Sequence, residues 1–189
     1  MTVPVPLRPL RLNLVELLRQ PGAERHAECV IDAADLGCIV PDPATVDIVG
    51  PIVVTVDAVS GVDDVEVRTR VAVPWAGPCR RCLQALGGEA VTTVVERFAP
   101  EGSPVVGRGG RADDEVLPVA GDQIDLAPTV RDTAVLELPV APLCSAECRG
   151  LCAECGADLN AADCGCRVEV VDERWAALDA LRAELGHDS

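Results

Sequence analysis

The placement of the cysteines constrains the fold of this sequence more than any other feature. Eight of the ten cysteines form four close pairs: Cys79/Cys82, Cys144/Cys148, Cys152/Cys155 and Cys164/Cys166. No early apolar run is long enough for a signal peptide, which predicts a cytoplasmic protein with reduced thiols. Clustered thiols in that compartment indicate a metal or catalytic site rather than disulfides.

The stretch PWAGPCRRCL, residues 74–83, resembles a redox-active motif because a tryptophan and a Gly-Pro pair accompany its C-x-x-C. In a thioredoxin-type site the tryptophan directly precedes the cysteines, and the pair opens a helix that lowers a thiol pKa. Here Trp75 lies four residues before Cys79, and the flanking sequences alternate as strands do. We therefore expect this pair at the tip of a β-hairpin and not in a redox site.

A second alternative is an iron–sulfur cluster. The spacing of Cys148, Cys152 and Cys155 is that of the four-iron cluster in radical enzymes that use S-adenosylmethionine. Such enzymes need a large barrel, and this sequence has neither the length nor the βα alternation for one. An iron–sulfur cluster of another kind is the remaining alternative of this class.

Zinc fits the spacing best, since a structural site takes four ligands from two short knuckles. One complete set is local, in the order C-x₂-C-x₈-C-x-C: Cys152, Cys155, Cys164 and Cys166. The remaining pairs would supply a second set: Cys79, Cys82, Cys144 and Cys148. We predict two structural zinc ions, while one zinc with the other cysteines as plain thiols, or no metal, stay open. The isolated Cys29 and Cys38 are expected to be buried as small hydrophobes.

Alternation of apolar and polar residues predicts four strands, at 26–32, 51–60, 64–73 and 89–98. The last three are expected to form an antiparallel meander, because a turn sequence, SGVDD, joins the first two of them. A further small hairpin is predicted around Gly121.

Three helices are predicted from capping residues and helical spacing. They begin at Asn13, Asp125 and Asp172 and end at Pro21, Pro139 and Gly186. The predicted fold class is α+β: an antiparallel meander with short flanking helices and a cysteine-rich, zinc-binding C-terminal segment. The expected boundary separates a core at 1–143 from a segment at 144–189 whose helix packs on the core.

The charge constrains the partners. Thirty-one acidic residues against 16 basic ones give a net charge of −15, which disfavours phosphate backbones and suits a basic protein. Four arginines on or beside the cysteine pairs form the candidate RNA-contacting patch: Arg80, Arg81, Arg149 and Arg167. Charge balance beside anionic zinc–thiolate centres explains these arginines equally well. The sequence predicts no membrane contact.

Several motifs in this order resemble the YceD family, over most of the chain: PCRRCL, IDLAPTVRDTAVLELPVAPLC, CRGLCAECGADLN, the C-x-C and VDERWAALDALR. Glu173 stands where proline is common in this family. The family comprises bacterial and chloroplast proteins tied to the accumulation of large-subunit ribosomal RNA. Some relatives lack the C.GLC..CG cluster but keep the first C-x-x-C and the 144/148 pair, which implies that these two pairs act together.

The resemblance implies a non-enzymatic ribosome biogenesis factor that promotes accumulation or maturation of large-subunit (23S) rRNA. The expected partner is a basic large-subunit ribosomal protein, with rRNA as a further candidate. One alternative is a zinc chaperone for a zinc-ribbon ribosomal protein, and another is an rRNA-processing enzyme. No catalytic residue is assigned, because four thiolates saturate zinc and leave no position open for water.

Overall fold

The computed structural model describes residues 10–37, 46–107 and 115–166, together with Leu178. The chain divides into two compact units. The first comprises Met1–Arg80 and Gln84–Cys144, and the second comprises Arg81–Leu83 and Ser145–Ser189. The boundary predicted at 143/144, and the packing of the tail on the core, stay predictions.

The first unit contains the regular elements, which in chain order are β1 (Arg11–Asn13), α1 (Val15–Arg19), β2 (Glu24–Ile31), β3 (Asp47–Ile48), β4 (Ile52–Ser60), β5 (Val65–Pro78), β6 (Ala85–Pro100), β7 (Val116–Val119), β8 (Gln123–Asp125) and α2 (Ala127–Leu136). The described part of the chain is therefore mostly sheet with two short helices. No helix in it is long and apolar enough to cross a membrane.

The main sheet has the order β2-β4-β5-β6-β7, and β3 also pairs with β5. Strands β4, β5 and β6 follow one another in antiparallel register, which confirms the three-stranded meander. The predicted inward faces are buried, each residue at most 1% exposed: Ile52, Val54, Val56 and Ala58 on β4, and Val65, Val67, Thr69, Val71 and Val73 on β5. The period-2 pattern thus identified the core face correctly.

The sheet as a whole is mixed, so the prediction of a purely antiparallel meander is wrong. Strand β7 pairs with β6 in parallel, and β8 pairs with β1 in a separate two-stranded sheet. The hairpin predicted around Gly121 is therefore also wrong. A parallel neighbour needs a longer connection than a hairpin does, and 15 residues separate β6 from β7 in the sequence.

Both predicted helices of the described chain are present. The amide of Val15 donates to Asn13 Oδ1 at 2.9 Å, and the amide of Ala127 donates to Asp125 Oδ1 at 2.9 Å. These side-chain acceptors satisfy amides that the first helical turn leaves unpaired. The second helix ends earlier than predicted, at Leu136, whose side chain is exposed.

The core lies between the sheet and the two helices. Apolar residues from both ends of the first unit join this core: Leu10, Leu12, Leu14 and Leu17 from one end, and Leu126, Val130 and Ala134 from the other. Cys29 packs against this core but is only partly buried. The predictions for Cys38 and, apart from Leu178, for the C-terminal helix from Asp172 concern residues outside the described part of the chain.

One acidic side chain on β6 gives the fold a dependence on pH. Burial raises the pKa of Glu96 above its ordinary value of 4.5, although the Thr129 hydroxyl, which donates to its carboxylate, partly opposes this. The folded state thus holds the proton more tightly than the unfolded state. Stability from this group is present below pH 4.5 and is lost as the pH rises through the folded pKa.

We expect Glu96→Gln to stabilise the fold progressively, relative to the parent, as the pH rises from 4 to 7. The glutamine keeps an oxygen acceptor for Thr129 and removes the buried charge. Urea unfolding at four pH values measures this. A difference that stays constant across the range would contradict it. Glu89→Gln, on an exposed position of the same strand, is the control.

Candidate metal centres

The hairpin of β5 and β6 carries the first C-x-x-C at its tip, as predicted. Pairing continues to Pro78 and Ala85, and the amide of Cys79 donates to the carbonyl of Gln84 at 2.8 Å. Strands on both sides, instead of a following helix, distinguish this pair from a thioredoxin-type site. The tight tip turns the two thiols toward one another.

Four thiols form the first cysteine group: Cys79, Cys82, Cys144 and Cys148. All four sulfurs lie within 4.8 Å of one another. Cys79 and Cys148 are almost fully buried, at 0% and 3% exposure. The amide of Cys144 donates to Cys79 Sγ at 3.4 Å, and the Asn160 side-chain amide donates to Cys148 Sγ at 3.5 Å. Such N–H donors stabilise thiolates, the form of cysteine that binds metal.

The second cysteine group consists of Cys152, Cys155, Cys164 and Cys166, whose sulfurs also lie within 4.8 Å of one another. A tight turn forms the knuckle, because the amide of Gly156 donates to the carbonyl of Cys152 at 2.9 Å. Gly156 and Gly165 both adopt positive φ, at 72° and 73°. Glycine is the residue that accepts this conformation without strain. In this group Cys152 is buried and the other three cysteines are exposed.

Backbone amides and neighbouring thiols shift the pKa values of cysteines in the second group. The backbone amides of Cys155 and Glu154 lower the pKa of Cys152 to about 7. Hydrogen bonds with Cys155 and Cys164 raise the pKa of Cys166 to about 12. Four thiolates this close repel each other, and a divalent cation removes that repulsion.

Both groups therefore fit a metal that prefers four sulfur ligands. In a zinc–thiolate tetrahedron with bonds of about 2.3 Å, the sulfurs lie about 3.8 Å apart. Separations within 4.8 Å are close to that arrangement. The structure brings the eight predicted cysteines together in two groups of four. Binding of zinc by these groups stays a prediction.

The four candidate RNA-contacting arginines occupy different environments. Arg81 donates to the carbonyls of Cys148 at 2.8 Å and Ala146 at 3.4 Å, and Arg149 forms an ion pair with Asp163. These contacts give both arginines a structural role. Arg80 is exposed, and Arg167 lies outside the described residues. Phosphate contact by any of them stays a prediction.

Sequence reasoning missed the residues that hold the hairpin tip and tail segment of the second unit together. Gly150 has a φ of +76°, and a β-carbon there would lie 3.0 Å from the carbonyl oxygen of Arg81. The amide of Leu151 donates to that same oxygen at 3.1 Å. The glycine in CRGLC was the available signal, because a glycine beside a metal knuckle suggests a close backbone approach.

We expect Gly150→Ala to destabilise the second unit more than Gly156→Ala. Both glycines have positive φ, so both changes add conformational strain of about 1 kcal/mol. Only Gly150 also has backbone within contact distance, since nothing lies within 4 Å of a β-carbon at Gly156. Zinc retention against a chelator, and hydrogen exchange of the Leu151 amide, measure the effect. Equal losses in the two variants would contradict the close approach.

Comparison with known proteins identifies the family of this chain. The family described as "Large ribosomal RNA subunit accumulation protein YceD" matches residues 67–182, more than half of the sequence. The chain belongs to the YceD family. The match includes all eight paired cysteines. No solved structure is significantly similar to the chain.

Individual relatives of this YceD-family chain come from mycobacteria and plants. An uncharacterized protein of Mycobacterium tuberculosis is 34% identical over 93% of this chain and 86% of its own length. An uncharacterized protein of Mycobacterium leprae is 30% identical over 94% of this chain and 79% of its own length. The chloroplastic YCED homolog 1 of Arabidopsis thaliana, named as a large ribosomal RNA subunit accumulation protein, is 35% identical over 33% of this chain and 20% of its own.

Proposed function

We propose that this chain is a zinc-stabilised, non-enzymatic factor for the accumulation of large-subunit (23S) ribosomal RNA in the cytoplasm. Membership of the YceD family, whose description names that process, is the observation that carries the proposal. The two groups of four cysteines support a structural role for zinc. The factor would act by binding, and its eight paired cysteines would maintain the binding surface.

The ligand sets support a role without catalysis. Catalytic zinc sites keep one position for water or substrate, whereas four thiolates fill the tetrahedron. Each cysteine group supplies four sulfurs, which is the composition of a closed, structural site. Zinc in such a site supplies folding energy and cross-links the chain segments that carry its ligands.

A surface pocket at one end of the main sheet is lined by both acidic and basic side chains. This pocket of about 400 Å³ lies at the turn between β4 and β5 and contains two carboxylates. Asp64 is ion-paired with Arg97, and Glu66 with Arg68 at 2.8 Å. Each of these two carboxylates is therefore already held in an ion pair.

The net charge of −15 favours a basic ribosomal protein as the direct partner. An acidic surface steers a basic protein toward it and repels phosphate at long range. Any rRNA contact would need a local concentration of arginines, such as the exposed Arg80 with its neighbours. The effect on rRNA would then follow from delivery or protection of the bound ribosomal protein.

A zinc chaperone is the second candidate, because three thiols of the second group are exposed: Cys155, Cys164 and Cys166. Exposed thiolates give an acceptor protein access to the metal, as exchange between thiolates requires. The first group, with Cys79 and Cys148 almost fully buried, would keep its zinc. The two functions differ in whether zinc from the second group appears in the partner.

Cells depleted of the protein provide the test of function. We expect the ratio of 23S to 16S rRNA to fall and to recover with the wild-type chain. Affinity purification from the rescued cells should recover a basic large-subunit ribosomal protein. An unchanged rRNA ratio would contradict the proposed function. Zinc-65 loaded on the protein and recovered in the ribosomal protein would favour the chaperone.

Metal analysis tests the cofactor separately. We expect two zinc ions per purified, reduced chain, and one after Cys164→Ser with Cys166→Ser. A single zinc in the wild type, or iron with a visible charge-transfer band, would contradict two zinc sites.

A further inference from the structure

The chain between the two knuckle pairs of the second cysteine group folds back on the residues that follow Cys148. The amide of Leu159 donates to the carbonyl of Gly150 at 2.9 Å, and Leu151 forms an antiparallel bridge with Asp158. The amide of Arg149 donates to Asn160 Oδ1 at 2.7 Å. We call residues 156–163 the return loop. The ligands of the second group lie at both of its ends.

Asn160, in the return loop, has a side chain held by three contacts. Its oxygen accepts from the Arg149 amide, and its Nδ2 donates to Asp158 Oδ1 at 2.7 Å. The second Nδ2 hydrogen is directed to Cys148 Sγ, 3.5 Å away. Asp158 Oδ1 also accepts from the Asn160 backbone amide at 2.9 Å. The amide orientation is thus fixed, because both Nδ2 hydrogens and the oxygen have defined partners.

We propose that Asn160 is a positioning residue for metal at the first cysteine group, and that metal at the second group strengthens metal binding at the first through it. This inference rests on the zinc occupancy proposed above. Cys148 is a ligand of the first group, but the residue that donates to its sulfur lies in a loop bounded by ligands of the second group. Metal at the second group fixes both ends of the return loop and so presents Asn160 to Cys148.

The expected loss of metal affinity follows from the behaviour of groups that contact metal ligands. Hydrogen bonds to a ligand orient it and tune its charge, and their loss typically lowers metal affinity about 10- to 100-fold. The coupling is reciprocal by thermodynamic necessity. Zinc at the first group, by ordering Cys148, therefore strengthens zinc binding at the second by the same factor.

Asn160→Asp is the sharpest variant, since it keeps the size and the oxygen acceptor of the side chain. It replaces the donor to Cys148 with a carboxylate oxygen, which repels the thiolate. We expect zinc affinity at the first group to fall about tenfold, measured by chelator competition on the full chain. Cys79→Ser with Cys82→Ser supplies the reference curve for the second group alone.

Asp163→Asn is the matched control, because Asp163 lies in the same loop and its carboxylate pairs with Arg149 rather than with a cysteine ligand. We expect the zinc affinity of the first group in the Asp163→Asn variant to stay within about twofold of wild type. With cobalt in place of zinc, Asn160→Asp should shift the sulfur-to-cobalt charge-transfer band, and Asp163→Asn should leave it unchanged. A purely structural role for Asn160 would not move that band.

Coupling is tested by removing the second group with Cys164→Ser and Cys166→Ser, after circular dichroism shows an intact sheet. First-group affinity should fall about tenfold in this background, and adding Asn160→Asp should then change it by less than about threefold. An equal Asn160→Asp effect in both backgrounds would overturn the coupling. Unchanged first-group affinity in a two-zinc Asn160→Asp protein would overturn the positioning role. A wild type without zinc would instead refute the cofactor proposal on which both depend.

Discussion

Cys79→Ser is expected to cost more than about 4 kcal/mol of unfolding free energy and to lower the melting temperature by about 10 °C or more. The side chain is fully buried at the hairpin tip, and the amide of Cys144 donates to its sulfur. The amide of Arg80 also donates to the carbonyl of Pro142 at 2.9 Å. Loss of the proposed zinc would release the segment after α2 from the long β5–β6 hairpin.

Cys164→Ser is the matched comparison and should have a smaller effect. Its group draws all four ligands from residues 152–166, so its metal closes a short loop and constrains little of the unfolded chain. Melting of the sheet, followed by circular dichroism, should change by only a few degrees. Equal losses of melting temperature in the two variants would contradict the proposed assignment of ligands to two groups.

Binding to rRNA should weaken with salt much more strongly than binding to a basic ribosomal protein. A fragment of large-subunit rRNA held by about three phosphate contacts should lose about 20- to 40-fold in affinity between 50 and 200 mM salt. A basic ribosomal protein should keep most of its affinity near physiological ionic strength, because buried contacts add to the charge attraction. Paired titrations across salt measure both.

Arg80→Glu is the variant that separates the two partners. Arg80 is exposed, whereas Arg81 donates to two tail carbonyls, so a change at Arg81 would also disturb the second unit. We expect Arg80→Glu to weaken the rRNA complex and to leave the protein complex nearly unchanged, with Arg131→Glu on α2 as a charge-matched control. Tight, salt-resistant rRNA binding that Arg80→Glu abolishes would overturn the protein-first mechanism.

Sequence patterns were sufficient to predict the structure where one physical rule dominates. On β4 and β5, alternate residues from Ile52 to Val73 are buried as the pattern predicts, because a strand exposes its side chains on alternate faces. The helix starts at Asn13 and Asp125 were recognisable because their side chains accept amide hydrogens locally. Spacing was sufficient for the second cysteine group because its four cysteines lie within residues 152–166, and the first group followed from the pairs that remained.

Long-range pairing was not predictable in this way. Nothing local to Val116–Val119 indicates that the strand joins β6 in parallel, or that β8 joins β1. Turn residues around Gly121 favour a hairpin, and burial against distant partners overrides that preference. The contact of Asn160 with Cys148 was equally hidden, because it depends on how the return loop folds and not on ligand spacing.

The pairing of β1 with β8 has a consequence during synthesis. The amide of Leu14 donates to the carbonyl of Asp122, and that of Leu126 to the carbonyl of Leu10, both at 2.8 Å. The backbone partners of residues 10–14 are therefore absent until residues beyond 122 have been made. At about 5 to 20 residues per second, that delay is on the order of ten seconds. For that interval Leu12 lacks Ile124, the residue opposite it in the folded protein, so the first strand can form only late in synthesis.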